Sequence, residues 1–272
     1  MNFVEKLSGA VRKNKSLLCV GLDPDVAMIP DGVSVPEFNR AIIDATADLV
    51  CAYKLNFAFY EALEADGFDI MKQSLKHIPN DIPVIGDAKR GDIGNTAKAY
   101  AQAIFSRLGF DATTVNPYLG YDSIEPFLQY RDKGIFILCR TSNAGALDFQ
   151  SLRCQPNSRF LFELVALKAN QWNKYGNVGL VVGATYLEEL RLIRQTYPDM
   201  PLLIPGVGTQ GGDAALTVHY GVDSRRERTI INSSRQIIYA SRGKDFAEAA
   251  RNVATTLREQ LNQHVATIDG TK

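Results

Sequence analysis

A closed (β/α)8 barrel in a single domain is the fold this sequence predicts, and three observations predict it. Eight short apolar runs alternate with helical patterns along 272 residues. The runs are continuous and rich in β-branched residues rather than alternating, as expected of strands buried on both faces. No linker, low-complexity tract or change of composition divides the chain. Strict βα alternation of this length favours a closed barrel over an open doubly wound sheet.

The elements follow in order. Residues 1–15 read as a helix closing the barrel bottom, and a first strand over 16–23 ends in Gly21-Leu22-Asp23-Pro24. A helix over 37–49 leads to a second strand over 51–56, and a helix over 59–77 to a third over 83–89. The helix over 95–108 opens at Thr96-Ala97-Lys98-Ala99 and leads to a fourth strand over 112–118. A helix over 123–131 precedes a fifth strand over 134–142, and one over 158–172 precedes a sixth over 178–185. Helices over 186–196 and 212–218 precede the last strands, over 201–208 and 228–234. A helix over 245–261 completes the set, and 265–272 reads as a frayed tail.

Composition narrows the function. Apolar residues make up 46%, enough for a large core, and 30 Lys plus Arg balance 30 Asp plus Glu. A net charge of zero gives no sign of a nucleic-acid or membrane-surface partner. The start, Met1-Asn2-Phe3-Val4-Glu5-Lys6, lacks an apolar signal core, and no apolar run approaches the ~20 residues of a membrane span. A soluble, cytoplasmic protein is expected. Cys19, Cys51, Cys139 and Cys154 show no paired spacing and read as reduced thiols, three of them in strand-like runs. His77, His219 and His264 lack metal-ligand spacing, so no metal site is expected.

The informative residues lie where strands end, the edge at which barrel enzymes collect their chemistry. The third strand runs into Asp87-Ala88-Lys89-Arg90-Gly91-Asp92-Ile93-Gly94-Asn95-Thr96. Asp87 and Lys89 are two residues apart, so on an extended chain both side chains face one way. Asp23 ends the first strand and Lys54 sits in the second, so four opposite charges fall on adjacent strands. A lysine in a strand can also point outward and snorkel between helices. As a group, the four charges argue instead for one shared site, because charges inside a barrel are costly unless paired.

A second signal follows strand seven. Pro205-Gly206-Val207-Gly208-Thr209-Gln210-Gly211-Gly212 lets backbone approach an anion closely, and Ser233-Ser234-Arg235 follows strand eight. Loops after strands seven and eight are the habitual phosphate site of such barrels, and Arg235 can clamp phosphate bidentately. The pattern predicts a small phosphorylated substrate, its reacting end over strands one to three. Two longer connections stand apart. One, 143–157, is polar; the other, 219–227, carries Arg225 and Arg226 with Arg228 beside it. That arginine run reads either as a solvated loop or as a cover over an anionic ligand.

Asp87-Ala88-Lys89-Arg90-Gly91-Asp92-Ile93, with Gly21-Leu22-Asp23-Pro24, Tyr53-Lys54-Leu55-Asn56 and the Gly206 to Gly212 run, resembles the orotidine 5′-phosphate decarboxylase family, in its longer bacterial branch. The resemblance spans the chain in order. It implies a homodimeric (β/α)8 barrel, free of metal and organic cofactor, that converts orotidine 5′-phosphate to UMP and CO2. It implies that Lys54, Asp87, Lys89 and Asp92 form an alternating charge network, with Asp92 and Thr96 contributed across the subunit interface. Asp23 and Lys54 would hold ribose hydroxyls and Ser142 the pyrimidine ring. Pro205, Gln210, Gly211, Gly212, Ser234 and Arg235 would line the substrate, with Gln210 and Arg235 on the phosphate. Three other readings remain. A metal-dependent sugar-phosphate decarboxylase on the same barrel would need a carboxylate ligand where Lys54 stands. A Schiff-base aldolase would use Lys89 or Lys54, and a catalytically dead barrel would only sense a nucleotide.

Overall fold

The computed structural model describes residues 1–155, 158–207 and 212–267. Eight parallel strands close into a barrel: β1 (Leu18–Gly21), β2 (Ala52–Asn56), β3 (Val84–Arg90), β4 (Ala112–Val115), β5 (Gly134–Arg140), β8 (Val178–Val182), β9 (Leu202–Pro205) and β10 (Thr229–Ser233). β1 pairs with both β2 and β10, so no edge remains. Each barrel strand begins within two residues of its predicted start. Asp23, Tyr118 and Ser142 lie beyond the observed strand ends, in the loops of the mouth.

Helices cover the outside: α2 (Val35–Thr46), α3 (Phe57–Glu61), α4 (Gly67–His77), α5 (Gly94–Ala101), α6 (Tyr121–Leu128), α7 (Leu161–Trp172), α8 (Leu187–Thr196), α9 (Ala214–Gly221), α10 (Arg235–Ile238) and α11 (Phe246–Thr267). α1 (Phe3–Asn14) starts with a capping box, in which Asn2 and Glu5 each accept the other's backbone N–H at 2.9 Å. It lies across the N-terminal strand ends. Phe3 meets Phe136 edge-on at 5.6 Å and sits on Gly134, where any Cβ would strike its ring. Lys6 pairs with Asp111 at 2.7 Å just ahead of β4.

Several expectations are corrected. The helix expected over 59–77 is broken into α3, a 3-10 turn at Glu64–Asp66 and α4. Gly67 passes so close to the Tyr60 carbonyl that no side chain fits there, and Glu64 takes a left-handed φ of 56°. The helix expected over 95–108 widens into π turns over Gln102–Leu108 before Gly109 ends it at φ 83°. The polar 143–157 connection holds a 3-10 turn, Ala144–Asp148, and the first strand of a small hairpin, β6 (Arg153–Cys154) with β7 (Arg159–Phe160). α11 continues to Thr267, so 265–267 are helical rather than frayed.

The arginine-bearing loop lies at the bottom. It enters β10 at its N-terminal end, where Arg228 donates to the Asp199 carbonyl at 2.7 Å and Arg12 of α1 pairs with Glu227 at 2.8 Å. It ties αβ loops together at the far end from the mouth, and the reading of a ligand cover is wrong. Cys19, Cys51 and Cys139 are buried and Cys154 half-buried, all as free thiols. Burial pushes the Cys19 thiol up to about 12 and leaves it inert near neutral pH. No helix among the described residues is long and apolar enough to cross a membrane.

Candidate active site

The register that closes the barrel assembles the charges. Gly21 of β1 lies beside Lys54 of β2, and Asn56 of β2 beside Asp87 of β3. Lys54 therefore points inward, against the snorkelling alternative, and its Nζ stands 3.1 Å from Asp87 Oδ2 and 3.7 Å from Asp23 Oδ1. Lys89 Nζ donates to Asp87 Oδ1 at 2.7 Å. The order Asp23, Lys54, Asp87, Lys89 is thus one continuous chain of alternating charge across three strands. Lys54 is sealed, with 5% of its side chain exposed, whereas Lys89 is 49% exposed and reachable from the mouth.

Burial and pairing pull the proton affinities in opposite directions. For Asp87, burial raises the pKa, but Lys54 and Lys89 beside it and the Thr114 hydroxyl outweigh burial and hold it well below the carboxylate range. For Lys54, burial lowers the pKa, and Asp23 and Asp87 together carry it well above the ordinary lysine value. The depressed Asp87 contributes stability that is present above about pH 4 and lost as pH falls through its folded value. The raised Lys54 contributes stability that is present below about pH 10 and lost as pH rises through its folded value. Lys54→Met is therefore expected to cost about 3–5 kcal/mol at pH 7, since it leaves buried Asp23 without its cation and Asp87 with Lys89 alone. The deficit should shrink towards pH 5, because buried Asp87, having lost one of the two cations that hold its carboxyl down, binds a proton more readily in the folded variant. Urea unfolding at both pH values measures it, and a pH-independent deficit would show that Lys54 does not hold Asp87.

Asp87 and Lys89 do not meet by simple strand alternation. The β3–β4 register shifts between Gly86 and Arg90, and Lys89 takes a left-handed φ of 48°. A non-glycine residue held there stores about 1–3 kcal/mol of strain, a cost that clusters at functional sites. Behind the bulge, Arg90 pairs with Glu61 and lies over the Tyr100 ring at 4.9 Å.

The charge chain lines one side of a cavity of about 610 Å³, within the ~300–1,000 Å³ usual for small-molecule sites. Ser142, Pro205, Ser234 and Arg235 line the same cavity, so the predicted phosphate loops share a mouth with the lysines. Ser234 Oγ lies 2.7 Å from Asp23 Oδ2 and 3.1 Å from the Gly21 carbonyl, joining the end of β10 to that of β1. Tyr239 continues the link: its hydroxyl donates to the Asp23 carbonyl at 2.8 Å and accepts the Asp25 N–H at 2.6 Å. Gly206, at φ 100°, accepts the Gly212 N–H at 3.2 Å, so the two ends of the strand-seven loop meet. Gln210 and Gly211 lie outside the described residues.

Asp92 and Thr96 stand apart from the charge chain. Thr96 is exposed, and half-buried Asp92 accepts the N–H of the next residue, Ile93, at 2.8 Å. Neither lines the cavity. Sequence reasoning passed over several residues that do. Gln150, in the polar connection, accepts the Thr141 N–H and donates to the Thr141 hydroxyl, both at 2.8 Å, and so fixes the strand-five loop. Asn232 is buried, and its Oδ1 has no hydrogen-bond partner among the described residues; it lines the cavity, as does Asp23, whose Oδ1 has only the 3.7 Å ion pair with Lys54. Arg140 goes the other way. A register shift after Leu138 turns it outward onto the Tyr186 ring, 3.4 Å from its centroid.

Fold and mouth together define a (β/α)8-barrel protein with amines and carboxylates interleaved at its C-terminal strand ends. Residues 16–252 match the model of the orotidine 5′-phosphate decarboxylase / HUMPS family, and the chain belongs to that family. It is 54% identical over 266 residues to the orotidine 5′-phosphate decarboxylase of Dehalococcoides mccartyi strain CBDB1, covering 97% of this chain and 98% of the relative. It is 50% identical over 273 residues to that of Ralstonia nicotianae, covering 97% and 99%. Among solved structures, the OMP decarboxylase of Leishmania donovani superposes with a TM-score of 0.85 at 38% identity, covering 97% of this chain and 99% of that one. The family resemblance carried by the sequence motifs is therefore correct.

Proposed function

We propose that this protein decarboxylates orotidine 5′-phosphate to UMP and CO2, the closing step of pyrimidine nucleotide synthesis, without metal or organic cofactor. The observation that carries the reading is the chain Asp23–Lys54–Asp87–Lys89, which shares one cavity with Arg235. Asp87 faces the substrate carboxylate. The bond from C6 to the carboxylate carbon breaks, its electron pair stays on C6, and CO2 departs. The ring offers that carbanion no adjacent carbonyl, so its charge must be met by fixed charges in a site closed to water. Lys89 Nζ stabilises it and then transfers a proton to C6, giving UMP; the amine regains its proton from solvent. Lys54 holds Asp87 in place. Enzymes remove ~8–23 kcal/mol from a barrier, more than one lysine supplies.

Ser142 meets the pyrimidine ring, and Asp23 with Lys54 takes the ribose hydroxyls; Asp23 Oδ1, which lines the cavity without a hydrogen-bond partner among the described residues, supports this. Arg235 and Gln210 bind the phosphate, and that remote binding energy appears in the rate rather than in affinity alone. In a homodimer, Asp92 and Thr96 of each subunit complete the neighbouring site, which accounts for their place outside the cavity of their own chain. Four free cysteines suit a cytoplasmic location.

The test follows the loss of orotidine 5′-phosphate absorbance on adding pure protein with EDTA present. Turnover with a chelator supports the reading; activity that EDTA removes would favour the metal-dependent sugar-phosphate decarboxylase, against which Lys54 argues. Arg235→Ala should lower kcat/KM for orotidine 5′-phosphate about 10- to 100-fold, the worth of a charge-assisted contact. Turnover of orotidine lacking phosphate should be unaffected. Equal losses on both substrates would remove Arg235 from the phosphate.

A further inference from the structure

β3 and β4 fall out of step at the reacting groups. Gly86 pairs with Thr113 and Arg90 with Val115, so four steps along β3 match two along β4. The two extra residues of β3 fall in the stretch that carries Asp87, Ala88 and Lys89, and there the ladder cannot pair every backbone group. Two threonines of β4 fill the gap with their side chains. Thr113 Oγ1 donates to the Gly86 carbonyl at 2.8 Å. Thr114 Oγ1 accepts the Lys89 N–H at 3.0 Å and gives its one proton to Asp87 Oδ1 at 2.8 Å. Thr114 is 1% exposed, so both bonds are buried in the cavity wall. One hydroxyl thus holds both the left-handed backbone of Lys89 and the carboxylate that Lys89 pairs with.

We propose that Thr114 is a positioning residue: its hydroxyl sets Lys89 Nζ and the Asp87 carboxylate in the mutual placement that the reaction needs. It transfers no proton to the substrate and acts through its two neighbours. Asp87 Oδ1 then has two donors, Thr114 and Lys89, and Oδ2 has Lys54. The carboxylate cannot rotate without breaking one of the three. The inference rests on the decarboxylase reading for its kinetic test, and carries a second readout that does not.

Thr114→Val keeps the shape and removes the hydroxyl, whereas Thr114→Ser keeps the hydroxyl. For the valine variant, kcat on orotidine 5′-phosphate is expected to fall about 10- to 100-fold, with KM changed less than about threefold. Amide hydrogen exchange at Lys89, followed by NMR, should quicken about tenfold or more. The serine variant should recover most of both. An unchanged kcat in folded valine protein, a loss confined to KM, a loss that serine does not reverse, or an unchanged Lys89 exchange rate overturns the proposal. Should the valine protein not fold, Thr114→Cys, similar in size with a weaker donor and acceptor, takes its place under the same criteria. Wild-type protein inert towards orotidine 5′-phosphate would sink the decarboxylase reading, while the Lys89 exchange rates would still decide whether Thr114 holds the backbone.

Discussion

Lys89→Ala is expected to lower kcat for orotidine 5′-phosphate by about 10⁴-fold or more. Charge stabilisation of the carbanion contributes ~10²–10³ and delivery of the proton ~10²–10⁴, and the substitution removes both. The fold should survive with little change in melting temperature. Half of the Lys89 side chain is in solvent, and Asp87 keeps Lys54 and Thr114 as partners. Turnover and thermal unfolding measured on one preparation separate the two effects. Near-normal turnover in a folded variant would refute the mechanism, and a collapse in stability would mean that Lys89 also holds the mouth together.

The second large effect is a gain. Lys89→Ala and Asp92→Ala proteins should each be nearly inactive, yet a mixture should regain activity after the subunits exchange. In the hybrid dimer one site has lost both groups, while the other has an intact lysine and receives an intact aspartate from its partner. With random reassortment of equal amounts in a twofold dimer, about a quarter of all sites become complete. Activity should rise towards that fraction as exchange proceeds. No recovery after exchange has been demonstrated, by mixed tags for example, would place Asp92 outside the shared site. The same experiment tests the dimer itself, because a monomer offers nothing to exchange.

The sequence carried the frame and the charge chain but not the way they are joined. Continuous β-branched runs located all eight barrel strands, because a strand buried on both faces leaves few other compositions open. Asp23, Lys54, Asp87 and Lys89 were legible because charge is too costly inside a barrel to occur there by neutral drift. The bulge was not legible. Ala88 and Lys89 look like ordinary strand continuation, and the positive φ at Lys89 has no glycine to announce it. Thr114 was hidden for a related reason. Threonine favours strands for its shape, so a hydroxyl with a second task leaves no separate trace. Gln150 sits where no periodicity existed to place it. The arginine loop is different, since its place in the chain, between a helix and the following strand, already puts it at the bottom. There the local charge pattern drew attention away from the topology.

The Ser234 hydroxyl reaches Gly21 and Asp23, partners 213 and 211 residues away along the chain. These contacts straddle the seam where the first strand meets the last, and long-range pairings of that kind carry the greatest loop-closure cost. A nascent chain still lacking its eighth barrel strand therefore has neither a secured Asp23 carboxylate nor Arg235. Turnover during refolding is therefore expected to appear only when the cylinder zips shut, a stopwatch for ring closure that spectroscopic helix content, acquired earlier and locally, would not match.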